Sequence, residues 1–164
     1  IDFYGSGNGS EVKVGLNRGA SGIDGLVASS AGYSKGLNQP LTLLLGDLSL
    51  LHDLNSLKLI SESPKPIVLI VLNNHGGGIF SFLPISEHKD IFETYFSTPH
   101  SLEFKDAAKM FKLPYFNPES PEEFESIYLK QASADKSCII EVNTLKEDNI
   151  RVQKEWTEFL HQNR

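Results

Sequence analysis

The sequence predicts an α/β domain, a doubly wound parallel sheet with helices on both faces, on three observations. Two uninterrupted apolar runs of strand length, at residues 41–45 and 67–72, suit strands buried on both faces rather than strands with one wet side. Between them Leu50, Leu54 and Leu57 recur at helical spacing. The stretch therefore reads strand, helix, strand within about 30 residues, a βαβ unit with a right-handed crossover. Strand-like and helix-like segments keep alternating to the end of the chain, the pattern of a parallel sheet covered by its own crossovers.

Element by element, a short strand is predicted at residues 11–16, followed by the Gly-rich corner Asn17-Arg18-Gly19-Ala20-Ser21-Gly22. A helix follows from about Asp24, which can cap it, and the small residues Ala28, Ser29, Ser30, Ala31 and Gly32 would let its backbone lie close to a sheet. After the first apolar strand comes the helix of residues 49–60, ended by Ser63-Pro64-Lys65-Pro66, and then the second strand. Beyond a long irregular stretch, Ser101 is predicted to cap a helix to Phe111, with a short strand at 113–116. Ser120-Pro121-Glu122-Glu123 is a strong helix start: a cap, a proline at the first position, then acids facing the positive end of the dipole. Residues 137–142 form the last strand, and a helix carrying Trp156, Phe159 and Leu160 closes the chain.

The composition fits one domain with one core. The chain has 164 residues, 40% of them hydrophobic and 22% charged, near the globular average and far from disordered or collagen-like sequences. A formal charge of −6 with no basic stripe argues against nucleic acid and anionic membrane as partners. No apolar stretch approaches the roughly 18–20 residues of a membrane span. The single cysteine, Cys138, can form no internal disulfide and reads as a small buried hydrophobe in a strand, which suits a reducing compartment.

Chemistry concentrates at two strand ends. Gly46-Asp47 closes the first buried strand and Asn73-Asn74 the second, with Asn74 27 positions after Asp47. Both sets lie at carboxyl ends of parallel strands, where open α/β sheets bind ligands because the loops diverge there. A carboxylate and a side-chain amide oxygen are hard ligands that suit Mg²⁺. Gly76-Gly77-Gly78 follows at once, and its backbone can approach a phosphate or turn a carbonyl to a metal with no side chain in the way. Singly, these features read as a helix cap, a turn and a flexible loop; their order and spacing point to a metal-diphosphate site. His75 reads as a surface loop residue, and His52, His88, His100 and His161 form no ligand-spaced set with Cys or one another.

Gly46-Asp47 and Asn73-Asn74 resemble the thiamine-diphosphate motif written Gly-Asp-Gly, a spacer, then Asn-Asn, with Leu48 in place of the third glycine. Residues 17–25, Gly46-Asp47-Leu48-Ser49 and residues 73–80 together resemble one branch of that superfamily, the synthases of menaquinone and phylloquinone biosynthesis. The likeness spans about residues 11–142 and is specific in its first half. The resemblance implies a thiamine-diphosphate-binding fold and an enzyme, a thiamine-diphosphate-dependent transferase that condenses 2-oxoglutarate with isochorismate, with loss of carbon dioxide. It implies Mg²⁺, replaceable by Mn²⁺, held by Asp47, Asn74 and the carbonyl of Gly76, and a cofactor contacted by Ile23, Gly46, Asp47, Ser49, Asn74, Gly76, Ile79 and Phe80. Within that set Ile23 would wedge the cofactor into a bent shape, and Ile79 and Phe80 would line the active site. Arg18 would bind a substrate carboxylate through its planar fork.

By the same resemblance, residues 1–164 are the diphosphate- and metal-binding domain of a larger enzyme whose pyrimidine-binding and middle domains are absent from this chain. The acid that activates the cofactor is then expected on the pyrimidine-binding domain of a neighbouring subunit in a homo-oligomer, no residue here is catalytic, and the isolated chain is expected to be inactive. The enzyme would be cytoplasmic in a bacterium and plastid-borne in a plant. Two alternatives stand beside this reading: another thiamine-dependent 2-oxoacid decarboxylase or lyase, and a non-catalytic module that binds Mg²⁺ and diphosphate.

Overall fold

The computed structural model describes residues 13–16 and 22–162. Its helices are α1 (Leu26–Leu37), α2 (Asp47–His52), α3 (Leu57–Ser61), α4 (Lys89–Phe92), α5 (Lys105–Met110), α6 (Pro121–Ala132) and α7 (Lys146–Gln162). Four strands, β1 (Leu41–Gly46), β2 (Ile67–Asn73), β3 (Tyr115–Phe116) and β4 (Cys138–Asn143), form one sheet in the order β1-β2-β4-β3, all parallel. Register decides where the loops meet. Gly46 lies opposite Leu72, and Asn73 opposite Asn143, so the chain leaves β1 and β2 side by side at the carboxyl edge.

Both faces of the sheet are covered. On one, Val27 and Ala31 of α1, Leu50 of α2, Leu57 and Ile60 of α3, and Phe104 and Ala108 around α5 pack on Leu45, Ile67, Leu69, Val71 and Ile139. On the other, Phe124, Ile127 and Tyr128 of α6 pack against Val68, Ile70, Cys138 and Ile140. Leu50, Leu57 and Ile60 are wholly buried, and each contributes about 1.5–3 kcal/mol of transfer free energy. Among the described residues no helix is long and apolar enough to cross a membrane.

β2 is buried along most of its length, as its run of apolar residues predicts, but β1 is not: Leu44 is 41% exposed and Thr42 is open. Among the described residues β1 is an edge strand of this sheet, and on the second face the Tyr128 hydroxyl of α6 lies 3.0 Å from Thr42 Oγ1. Residues 13–16 are exposed and carry no strand. Positions 11–12 and the corner 17–21 lie outside the described residues.

Three helix expectations are corrected. Asp24 does not cap α1: the N-cap is Gly25, which has no side chain to cap with. Asp53 takes that role from afar, its Oδ2 accepting the Ala28 N–H at 2.9 Å. The helix expected over residues 49–60 is broken at the same residue into α2, a 3-10 turn (Leu54–Ser56) and α3, with Ser56 Oγ donating to Asp53 Oδ1 at 2.5 Å. The helix expected from Ser101 begins at Lys105, because the N–H of Phe104 is held instead by a buried carboxylate on β4, Glu141 Oε2 at 2.9 Å. The start of α6 follows the sequence signal, with the Glu123 N–H donating to Ser120 Oγ at 3.2 Å. On α7, Val152, Trp156, Phe159 and Leu160 are all more than 40% exposed.

Candidate functional site

Asp47 starts α2 directly after β1, and its side chain is buried at 2% exposure. Its Oδ1 accepts the N–H of Leu48 at 2.7 Å, and its Oδ2 accepts the N–H of Gly76 at 2.9 Å. The carboxylate is thereby fixed between two loops rather than free in solvent. Asn74 reaches the same point from the end of β2. Its side-chain oxygen lies 2.7 Å from the carbonyl oxygen of Gly76 and 3.3 Å from Asp47 Oδ2.

Three oxygens with no proton among them repel one another. Turning the amide over relieves this by letting its NH₂ donate to both neighbours. A cation at the centre relieves it with the oxygen facing inward. Mg²⁺, octahedral with ligands at about 2.0–2.1 Å, sets neighbouring ligand oxygens roughly 3 Å apart, and the separations here bracket that spacing. The set can therefore hold a small hard divalent ion between a carboxylate, an amide oxygen and a backbone carbonyl.

The glycine run is built for close approach, but chiefly to the chain itself. Gly76 has φ 148°, and a Cβ there would collide with the carbonyl oxygen of Ser97. A Cβ on Gly77 would collide with the carbonyl oxygen of Phe96, and one on Gly78 with the Asn74 amide. The N–H of Gly77 donates to Ser97 O at 2.7 Å, so the loop is docked on the π-helical turn Glu93–Ser97. That turn is in turn held by α7, where Lys146 Nζ donates to Ser97 Oγ at 2.5 Å and lies 5.2 Å from the Phe92 ring centroid. Gly76 and Gly77 thus spend their freedom on this backbone contact, and the Gly76 carbonyl is left aimed at Asn74.

Two histidines that sequence spacing leaves unconnected meet here. His100 Nε2 lies 3.2 Å from Asp47 Oδ2, too far off line for a hydrogen bond. Its Nδ1 accepts the N–H of Leu102 at 3.2 Å, so Nε2 carries the ring proton and faces the carboxylate. His75 is no free surface residue: it sits at φ 59°, its Nδ1 is buried, and its ring packs edge-on to His100 at 5.7 Å. No spacing rule joins residues 75 and 100, which come together only because the irregular stretch between them folds back onto the β2 loop.

The other predicted positions divide. Gly46, the last residue of β1, directly precedes Asp47, and Ser49 lies in α2 two positions after it. Ile79 is 72% exposed and lines a cleft of about 190 Å³ with Asn74, Gly78 and Phe82 on one wall and Lys146, Asn149, Ile150 and Gln153 of α7 on the other. Phe80 instead packs edge-on against Phe96, at 5.7 Å. Ile23 stands exposed on the turn before α1. Arg18 lies outside the described residues.

Comparison with known proteins then gives a consistent picture. No protein-family model matches the chain. It is 50% identical over 143 residues to the 2-succinyl-5-enolpyruvyl-6-hydroxy-3-cyclohexene-1-carboxylate synthase of Chlorobium phaeobacteroides, covering 87% of this chain and 25% of that one. The synthase of the same name from Rubrobacter xylanophilus is 48% identical over 155 residues (94% and 27%), and that from Prosthecochloris aestuarii 40% over 161 residues (98% and 28%). The chain thus spans about a quarter of the length of these curated relatives. Among solved structures, benzoylformate decarboxylase from Polynucleobacter necessarius superposes with a TM-score of 0.60 at 20% identity, covering 74% of this chain and 23% of that one. The thiamine diphosphate-dependent 4-hydroxybenzoylformate decarboxylase of Rhodococcus jostii gives 0.51 at 23% identity, covering 63% and 19%. The fold is that of these decarboxylases; at such identities they speak to fold alone.

Proposed function

Because the chain belongs to the 2-succinyl-5-enolpyruvyl-6-hydroxy-3-cyclohexene-1-carboxylate synthase family, of whose members it spans about a quarter, we propose that it is the diphosphate- and metal-binding domain of such a synthase. The parent enzyme would condense 2-oxoglutarate with isochorismate, with loss of carbon dioxide, in menaquinone biosynthesis or its phylloquinone counterpart. The observation that carries the reading is the convergence of the Asp47 carboxylate, the Asn74 amide and the Gly76 carbonyl at the carboxyl edge of β1 and β2.

In this reading Asp47, the Asn74 amide oxygen and the Gly76 carbonyl would hold Mg²⁺, with Mn²⁺ as a substitute, beside the diphosphate. Thiamine diphosphate, when bound, supplies the chemistry by which a 2-oxoacid loses carbon dioxide and its remainder passes to an acceptor. This chain supplies position and charge. The Leu48 and Gly76 N–H groups fix the orientation of the Asp47 carboxylate, and the His100 N–H faces it. Gly46 and Ser49 would flank the diphosphate, Ile23 would prop the cofactor, and Ile79 and Phe80 would provide apolar wall. Arg18 takes a substrate carboxylate in a bidentate fork.

The acid that activates the cofactor, and the rest of the substrate pocket, would come from a pyrimidine-binding domain of a neighbouring subunit, so the enzyme is a homo-oligomer and this domain alone is inactive. The compartment follows the source, cytoplasm in a bacterium and plastid in a plant. Identity of 40–50% to the synthases favours the synthase over another thiamine-dependent lyase. Calorimetric titration of thiamine diphosphate with Mg²⁺ into the chain and into Asp47→Ala tests the assignment. Binding by the parent and none by the variant is expected; equal affinity in the two would remove Asp47 from the metal.

A further inference from the structure

Glu141 lies on β4 with 0% exposure, on the same face as Ile139 and one step nearer the carboxyl edge of the sheet. An aliphatic side chain would fill this place without the desolvation cost of a carboxylate. Among the described residues Glu141 is met by three neutral donors and no cation: Asn73 Nδ2 at 2.6 Å on Oε1, and the Phe104 N–H at 2.9 Å and Tyr115 Oη at 2.8 Å on Oε2.

Two of these contacts lead to the candidate site. Asn73 Nδ2 also donates to Leu102 O at 2.9 Å, and Asn73 Oδ1 accepts the His75 N–H at 3.0 Å. His75 is in the left-handed region, sparsely populated for any residue but glycine, so the turn needs such a tie to persist. The next residue, Gly76, donates to Asp47 and turns its carbonyl to Asn74. The second path runs through Phe104 to the stretch carrying His100, whose N–H donates to His75 O at 3.2 Å and whose ring faces Asp47. One carboxylate thus pins both segments that close around Asp47.

We propose that Glu141 is a positioning residue of the cation site: it never touches the ion, but through Asn73 and Phe104 it holds the His75 turn and the His100 segment that aim Gly76 and Asn74 at Asp47. This rests on the reading of Asp47, Asn74 and Gly76 as a site for a divalent cation. Residues that orient metal ligands in this way lower metal affinity about 10–100-fold when changed.

The test is titration of the 164-residue chain with Mn²⁺, read by the electron paramagnetic resonance signal of the free ion, well below the melting temperature of each variant. Glu141→Gln, which puts a donor where three donors already converge, is expected to weaken Mn²⁺ roughly 10–100-fold. Tyr115→Phe removes a donor from the same carboxylate but touches neither loop, so it should lower the melting temperature and leave Mn²⁺ affinity as in the parent. Parent-like affinity in Glu141→Gln, or an equal loss in Tyr115→Phe, would overturn the proposal, the second outcome showing general loosening rather than positioning. Asp47→Ala separates the two levels. If it binds Mn²⁺ like the parent, the cation reading fails and the role of Glu141 with it. If it loses the ion while Glu141→Gln keeps it, only the role of Glu141 fails. Should Glu141→Gln not fold, Asn73→Ser cuts the same tie at the loop and is judged by the same outcomes.

Discussion

Asp53→Ala should destabilise the chain by about 2–4 kcal/mol, because this one side chain joins two elements distant in sequence. Its Oδ2 accepts the Ala28 N–H at 2.9 Å, one of the donors at the start of α1 that has no partner within the helix, while Oδ1 accepts Ser56 Oγ and shapes the break between α2 and α3. A hydrogen bond to a charged group contributes about 1.5–3 kcal/mol, and a negative charge at a helix N-terminus about 0.3–1 kcal/mol more. At 6% exposure for Asp53, solvent cannot replace the lost partners fully. For a domain of this size each kcal/mol moves the melting temperature by roughly 2–4 °C, so a fall of about 5–15 °C is expected in a thermal melt followed by far-ultraviolet circular dichroism. Asp24→Ala is the control, since Asp24 is exposed and caps nothing. A melt for Asp53→Ala indistinguishable from the parent, or a loss in Asp24→Ala as large, would refute the long-range cap.

Gly77→Ala should cost about 1–3 kcal/mol and impair metal-dependent cofactor binding, because its Cβ meets the Phe96 carbonyl and the Phe80 ring; urea denaturation measures the first effect and calorimetry the second. The Tyr115 hydroxyl is held well above the ordinary tyrosine range by burial and by its hydrogen bond to Glu141. The stability it contributes is therefore full below about pH 10 and lost as pH rises through the raised value, so Tyr115→Phe should show a shallower alkaline loss of stability than the parent in melts from pH 9 upward. Burial pushes the Cys138 thiol up to about 11, and a disulfide reagent at pH 8 should label it only after denaturant is added. In the complete enzyme, Arg18→Lys should lower turnover efficiency for one of the two substrates roughly 10–100-fold, the loss of one charge-assisted hydrogen bond, with cofactor affinity unchanged; steady-state kinetics decide it.

Most of the sheet was legible because burial writes itself into composition. The runs at residues 41–45 and 67–72 and the Cys138-Ile139-Ile140 segment all became strands, and Ser120-Pro121 began α6 where its local chemistry said it should. What the sequence did not reveal were effects set by distant partners. β1 looked doubly buried because its residues are apolar, yet its place at the sheet edge depends on strand order. The start of α1 depends on Asp53 acting across 25 positions, which no local window contains. At the site, the places of Asp47 and Asn74 were legible because each immediately follows a strand, and that of Gly76 because it lies two positions after Asn74. His100 and Glu141 were not, since an irregular stretch and a buried strand position bring them in with no motif of their own. Only afterwards does the lone acid in the run Ile139-Ile140-Glu141-Val142 stand out as a sign of a buried polar network.

Whether Asp47, Asn74 and Gly76 hold a diphosphate through a divalent ion is decided by a thermal melt of the 164-residue chain with thiamine diphosphate and Mg²⁺, together and singly. The site needs no other domain to form, and the ion and the diphosphate each bind more tightly in the other's presence. At 100 times the dissociation constant, linkage stabilises the folded state by about 2.7 kcal/mol, a rise of roughly 5–11 °C at 2–4 °C per kcal/mol. That rise is expected with both ligands, little with either alone, and none in Asp47→Ala. A melt unmoved by saturating thiamine diphosphate plus Mg²⁺, or moved equally in Asp47→Ala, would contradict it.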